Sequence, residues 1–375
     1  MSGTRTNLAR TRVRTAVLGL AAAVPLVAGA GHLTPAGAAV PTPDAVSSTP
    51  NATVAVTATG LVYTGLGAPN TITVNLVGGR YVIADSAPIT AGTGCLPTAK
   101  GVFEVSCQVP SSPNGTPKSF RVVGGGGDDV IRNSTAIGMR ADGGPGNDVL
   151  EGGTGSDNLD DSFGRDTLRG NDGNDTLSTE LSQQDGLVDV LEGGAGDDDL
   201  RAGPNDDILR GGAQDDTMRG GLGADHFDGG SGAHDAVAYL DTGHDPYARL
   251  VVSIDLHADD GLRALGTSSS QEGDFVTTTV EDVFGGHGDD VLFGSSANNL
   301  LSGNLGDDVI EGLLGKDVID GGPGDDLLAS NQLFGAPVAD GAIDTAQGNL
   351  GTDSCRVPFP TVEADLVACE TVNQD

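Results

Sequence analysis

Residues 143–178 read GGPGNDVLE, GGTGSDNLD, DSFGRDTLR and GNDGNDTLS. In these four consecutive blocks of nine the sixth residue is Asp148, Asp157, Asp166 and Asp175, and the eighth is Leu150, Leu159, Leu168 and Leu177. A fixed period of this kind marks a repeat architecture, in which each unit buries its apolar side chain only by stacking on its neighbours. Glycine in the first four positions frees the backbone to turn, and the triplet that follows extends as a short strand with its middle residue facing inward. If six residues turn and three extend, two repeats close one coil. Turns eighteen residues apart then lie on the same side. The expected fold is all-β: a right-handed parallel β-roll, a form of β-helix or solenoid, built from nine-residue repeats.

Outward from this block the same pattern recurs. A lone copy, GGGGDDVIR, begins at 124; after 178 the register slips by five, resumes at Gln184, and runs through GGAGDDDLR at 193, AGPNDDILR at 202, GGAQDDTMR at 211 and GGLGADHFD at 220. It returns as GGHGDDVLF at 285, GSSANNLLS at 294, GNLGDDVIE at 303, GLLGKDVID at 312 and GGPGDDLLA at 321. The eighth positions, Ile131, Leu150, Leu159, Leu168, Leu177, Leu191, Leu200, Leu209, Met218, Phe227, Leu292, Leu301, Ile310, Ile319 and Leu328, are expected to fill the interior. A disordered acidic tract has no physical need for an apolar residue at every ninth place. The array therefore divides into 124–239 and 285–329, separated by an insert, 240–284, with β-like stretches at 250–256 and 275–283. Before it, 51–123 alternates as short strands between Gly, Pro and Asn turns and reads as a small β-rich N-terminal cap. Residues 330–375 form a C-terminal cap.

Composition fits a coiled stack better than a conventional core. Of 375 residues, 60 are glycine, 3% are aromatic and none is tryptophan. The formal charge is −34, with 19 basic against 53 acidic residues, which excludes nucleic acid as a partner because phosphate contacts need clustered Lys and Arg. A divalent cation is the partner that such acidity calls for. Arg5, Arg10, Arg12 and Arg14 precede an apolar run from Ala16 to about Ala30, followed by Ala36-Gly37-Ala38. Residues 1–39 thus read as a secretory signal peptide, and Pro25 with Gly29-Ala30-Gly31 leaves the run too short for a membrane span. Residues 40–50, rich in Pro, Ser and Thr, read as a linker. The four cysteines fall into two close pairs, and in an exported chain this suggests disulfides Cys95–Cys107 and Cys355–Cys369.

The repeat G-G-x-G-x-D-x-U-x, where U is a large apolar residue, resembles the RTX (repeats-in-toxin, hemolysin-type) calcium-binding family over residues 124–239 and 285–329. The chemistry supports the same reading. Glycine turns present carbonyl oxygens, Asp adds a carboxylate, and Ca2+ takes six to eight oxygens at roughly 2.3 to 2.6 Å, more than one turn supplies. Stacked turns must share each ion. The eighteen-residue offset pairs Asp148 with Asp166, Asp157 with Asp175, Asp189 with Asp207, Asp198 with Asp216, Asp207 with Asp225, Asp290 with Asp308 and Asp308 with Asp326. That makes roughly seven strong sites, with Asn299 opposite Asp317 a weaker eighth because an amide carries no charge. Asp129 of the lone copy joins the set. The backbone carbonyls expected to contribute belong to Gly144, Gly146, Gly153, Gly155, Gly194, Gly196, Gly221, Gly223, Gly286, Gly288, Gly306, Gly315, Gly322 and Gly324. Gln214, Ala297 and Asn205 replace the fourth glycine, with Asn the most easily accommodated. Two inward side chains per coil cannot offset the ordering of eighteen residues, so folding is expected to require the metal.

The expected function is a secreted, extracellular calcium-binding repeat protein without catalysis. One alternative is the accessory region of a secreted hydrolase; another is a calcium-dependent adhesin or cell-surface component, with a surface or matrix partner. The first lacks support in sequence. No HExxH and no G-x-S-x-G occurs, and His244, Asp255 and His257 in the insert read better as loop residues than as a catalytic group.

Overall fold

The computed structural model describes residues 51–113, 115, 117–180, 182, 185–239, 249–255, 261–263, 273–329, 344–357, 366–369 and 371–374. The expected signal peptide, 1–39, the expected linker, 40–50, and His244 and His257 lie outside the described residues.

Each nine-residue repeat contributes one short strand on its apolar triplet, and successive strands go to opposite faces. Val149–Glu151 pairs in parallel with Thr167–Asp172, placing Leu150 beside Leu168; Asn158–Asp160 pairs in parallel with Thr176–Ser178, placing Leu159 beside Leu177. Repeated along the chain, this gives a β-roll. Among the described residues it comprises one sheet of fifteen strands on one face, and sheets of eleven and seven strands on the other. All of the eighth-position side chains named above have no exposed surface, and they form one continuous core with the cap. Outside, ninth-position charges alternate in a row: Arg132 and Arg169 both reach Glu151, and Arg169 and Arg210 both reach Glu192. Such half-exposed pairs each contribute roughly 0 to 1 kcal/mol, and their clearer effect is to disfavour a shifted register.

The five-residue slip after 178 leaves the roll intact. Leu168 still pairs with Leu191 and Leu177 with Leu200, so the extra residues fall between Thr176–Ser178 and Val190–Ala195 without shifting the register. The β-like stretches of the insert join the sheets of the roll. Asp282–Phe284, inside 240–284, pairs on one side with Ala236–Ala238 and on the other with Leu300–Ser302, so the fifteen-stranded face runs through without a break. On the opposite face the sheet divides. Phe275–Val276 ends the eleven-stranded sheet, whereas Arg249–Ser253 pairs with Val291–Phe293 and with antiparallel Gly261–Arg263 at the edge of the seven-stranded one.

At the N-terminal end Leu61–Gly65 and Thr71–Val77 pair in parallel with Phe120–Val123 and Val130–Asn133, which makes them the first coil. Beyond them the pairing turns antiparallel: Ala52–Val56 lies on Leu61–Gly65, with Ile89–Ala91 parallel at its outer edge, and Arg80–Ala84 lies on Thr71–Val77 with Gly101–Gln108 antiparallel beyond it. This change of direction covers the open end of the parallel stack, over a core that includes Tyr63, Tyr81 and Phe120. Cys95 and Cys107 face each other across a cap hairpin and are bonded. At the far end Thr345–Leu350 and Ser354–Val357 add further parallel strands, and Cys355 is bonded to Cys369. Among the described residues no helix is long and apolar enough to cross a membrane.

Candidate metal centre

Two columns of acidic side chains run along the roll, one on each side where the turns stack. On the first, the backbone N–H groups of Asn70, Asp129, Asp148, Asp166, Asp189, Asp207 and Asp225 donate to Oδ1 of Asp129, Asp148, Asp166, Asp189, Asp207, Asp225 and Asp274 respectively. The same column resumes with Leu250, Asp290, Asp308 and Asp326 donating to Asp290, Asp308, Asp326 and Asp353. On the second, the N–H groups of Asp157, Asp175, Asp198 and Asp216 donate to Asp175, Asp198, Asp216 and Asp235, and those of Asn299 and Asp317 donate to Asp317 and Asp344. Each carboxylate thus spends one oxygen on the neighbouring coil, which fixes its rotamer.

The second oxygen is left over. Oδ2 of Asp129, Asp148, Asp166, Asp175, Asp198, Asp207, Asp216, Asp308 and Asp326 is buried and meets no hydrogen-bond donor, and the same holds for Asp161 and Asp235, which the repeat pattern did not single out. Orphaned buried oxygens are costly, and so many in register signal a missing positive partner. The surroundings are built around them. A Cβ on Gly170, Gly303 or Gly321, each the first residue of its repeat, would fall 2.0 to 2.2 Å from Oδ2 of Asp175, Asp308 or Asp326. Carbonyl oxygens crowd the same turns. A Cβ on Gly144, Gly146, Gly153, Gly194, Gly196, Gly221, Gly223, Gly306, Gly315, Gly322 or Gly324 would meet a carbonyl of the preceding coil at 1.7 to 2.3 Å, and one on Gly155 would meet the Ala136 carbonyl at 2.6 Å. Gly286 and Gly288 precede the aligned turn of Leu305 and Gly306: the Gly286 carbonyl accepts the Leu305 N–H, and the Gly288 carbonyl abuts Gly306. Carboxylate and carbonyl oxygens in stacked turns are the donor set of a hard cation, so the residues present fit calcium.

The family model of the RTX calcium-binding nonapeptide repeat matches residues 142–177, 188–209, 202–233, 282–301 and 293–328. The chain carries RTX repeats. These repeats bind calcium, and the all-strand, parallel architecture agrees with the β-roll that they form. No curated protein matches the chain.

Not every RTX position has a spare oxygen. Asp157 accepts the N–H groups of Met139 and Gly153 and the Asn133 amide; Asp290 accepts those of Leu250 and Gly286; Asp189 accepts the Asp166 N–H and the Ser182 hydroxyl. Asn299 accepts from Ser295 and donates to the Glu281 carbonyl. The preceding coil stacked against Asp157, which supplies Asn133 and Met139, and the one against Asn299, which supplies Glu281, are of non-repeat sequence, while Asp290 begins the second array. Of the substituted fourth positions, Asn205 and Gln214 adopt φ of 139° and 80°, keeping the turn without glycine.

Burial is the first cause of a consistent electrostatic strain. It pushes the carboxyls of Asp148, Asp166, Asp175, Asp207 and Asp308 up to about 7, Asp216 to about 8, and Asp129, Asp198, Asp290 and Asp326 to about 6, with neighbouring acids adding to the rise in most of them. Asp157, Asp189 and Asp235 are raised for the same first reason. Asp235, Asp274, Asp344 and Asp353 extend the columns beyond the repeats read from sequence: Asp274 and Asp344 enter from segments without the glycine pattern, and Asp235 follows Gly229-Gly230-Ser231-Gly232 with one residue more than the period allows. Gly348 and Asp353 preserve its first and sixth positions, a signal legible in GNLGTDSC at 348–355.

Proposed function

We propose that this is a secreted, extracellular, non-catalytic protein whose RTX repeats fold into the roll when calcium fills the stacked turns. The observation that carries this is the register of buried, donor-free Oδ2 atoms along both columns. Calcium would be held by those oxygens together with turn carbonyls, and it would supply the charge that otherwise leaves the acids repelling one another. The two disulfides and the arginine-led apolar run at the start of the chain support export to an oxidising compartment. Asp255, the described member of the histidine and aspartate group in the insert, borders an open cleft with Ile254, Phe293, Leu313 and Leu314.

Small-angle scattering with circular dichroism, in calcium, in magnesium and after chelation, tests the reading. Calcium gives a compact radius and a strong β signal; chelation expands the chain. Magnesium substitutes poorly because it demands a smaller octahedral shell. A chelated protein with unchanged radius and β content refutes calcium-driven folding.

A further inference from the structure

Asp161 occupies the first position of DSFGRDTLR, where the pattern places glycine. Its Oδ1 accepts the N–H groups of Gly144 at 3.0 Å and Ser162 at 2.9 Å, a clamp that holds the carboxylate between two stacked turns. Oδ2 is turned toward the column. One carboxylate oxygen from each of Asp148, Asp161 and Asp166 lies within 4.8 Å of the other two. These residues are 1%, 3% and 0% exposed, and Oδ2 of each meets no donor. The space is cleared by glycine on the facing turn: a Cβ on Gly143 would fall 2.3 Å from Oδ2 of Asp161 and 2.5 Å from Oδ2 of Asp148.

Three anionic oxygens no more than 4.8 Å apart suit a central hard cation with bonds of roughly 2.3 to 2.6 Å, and no basic side chain reaches them among the described residues. Among the described residues no other three acidic side chains bring their oxygens this close together. We propose that Asp148, Asp161 and Asp166 form a three-carboxylate site that takes the most tightly held calcium ion of the array and so starts the ordering of the first repeat block. This inference rests on the calcium-binding reading above. It extends the ligand set to a side chain that the repeat pattern does not supply. The added charge strengthens attraction for a divalent ion, since affinity in oxygen sites rises with the number of charged ligands.

Isothermal titration of calcium into the full chain, as wild type, D161G and D161N, tests it. In the wild type one ion per chain binds about tenfold or more tightly than the rest. D161G restores the pattern's glycine and abolishes that class while the remaining ions bind as before; D161N, which keeps the shape and loses the charge, weakens it, and serves if D161G does not fold. Wild-type sites of a single class, or a tight ion retained in D161G or unweakened in D161N, overturn the three-carboxylate site and leave the calcium-binding roll standing. A chain that binds no calcium overturns both.

Discussion

Leu200 and Asp199 are chain neighbours on opposite faces of one strand, and truncating each to alanine measures the register of the roll. Leu200 has no exposed surface and sits between Leu177 and Met218 in adjoining coils. Leu200→Ala removes stacked contacts above and below, and backbones pinned by the parallel ladder cannot close the cavity. The cost is about 2 to 5 kcal/mol. Asp199 lies outside, its side chain 31% exposed, accepting from Arg201 Nε at 3.1 Å and Arg219 Nη1 at 2.8 Å. Asp199→Ala gives up two solvent-screened ion pairs and relieves like-charge crowding, a loss of no more than about 1 kcal/mol. Urea denaturation in saturating calcium, followed by circular dichroism, compares them. Leu200→Ala lowers the midpoint several times further than Asp199→Ala. Equal losses, or a larger one for Asp199→Ala, would refute the register, because a one-residue shift exchanges inside for outside along every strand.

The turns offer a second contrast. Gly144 has φ +102° and would place a Cβ 2.0 Å from the Gly125 carbonyl, whereas Gly186, at φ +77°, has nothing within 4 Å. Both alanine variants carry the backbone strain of roughly 1 to 3 kcal/mol, but only Gly144→Ala also forces stacked turns apart, so it alone lowers the calcium stoichiometry measured by titration. The calcium-free roll has an inverted pH response. Its raised carboxyls bind protons that the unfolded chain has already released between about pH 4 and 7, so the metal-free fold loses stability as pH rises through that window and is most structured near pH 4. Circular dichroism of calcium-free protein at pH 4.5 and pH 8 shows more β structure at the lower value; the reverse order would place the carboxylates outside the buried columns. Reduction of Cys95–Cys107, which closes a cap hairpin, destabilises the N-terminal end by about 2 to 4 kcal/mol, read as faster hydrogen exchange in 52–108 with the repeats little changed.

The nine-residue period by itself determined the parallel roll, the inward row from Ile131 to Leu328 and the sixth-position carboxylates, because each is a local consequence of a repeated unit: a glycine turn, an acid and an apolar strand residue in fixed order. Spacing alone also paired Asp148 with Asp166 and Asp308 with Asp326. Where the period breaks, only the tertiary structure decided the outcome. The slip after 178 still stacks Asp166 on Asp189, and Asp282–Phe284 enters a sheet from within the insert, since strand pairing tolerates loops of any length between strands that meet in register. Asp161, Asp235 and Asp274 reach the columns from positions outside the pattern. Conversely, Asp157, Asp189, Asp290 and Asn299 match the pattern yet have both side-chain polar atoms engaged by protein groups. A sequence states which oxygens are available; whether a given one is left without a donor depends on the coil stacked against it, and that neighbour is set by how the whole chain closes its turns.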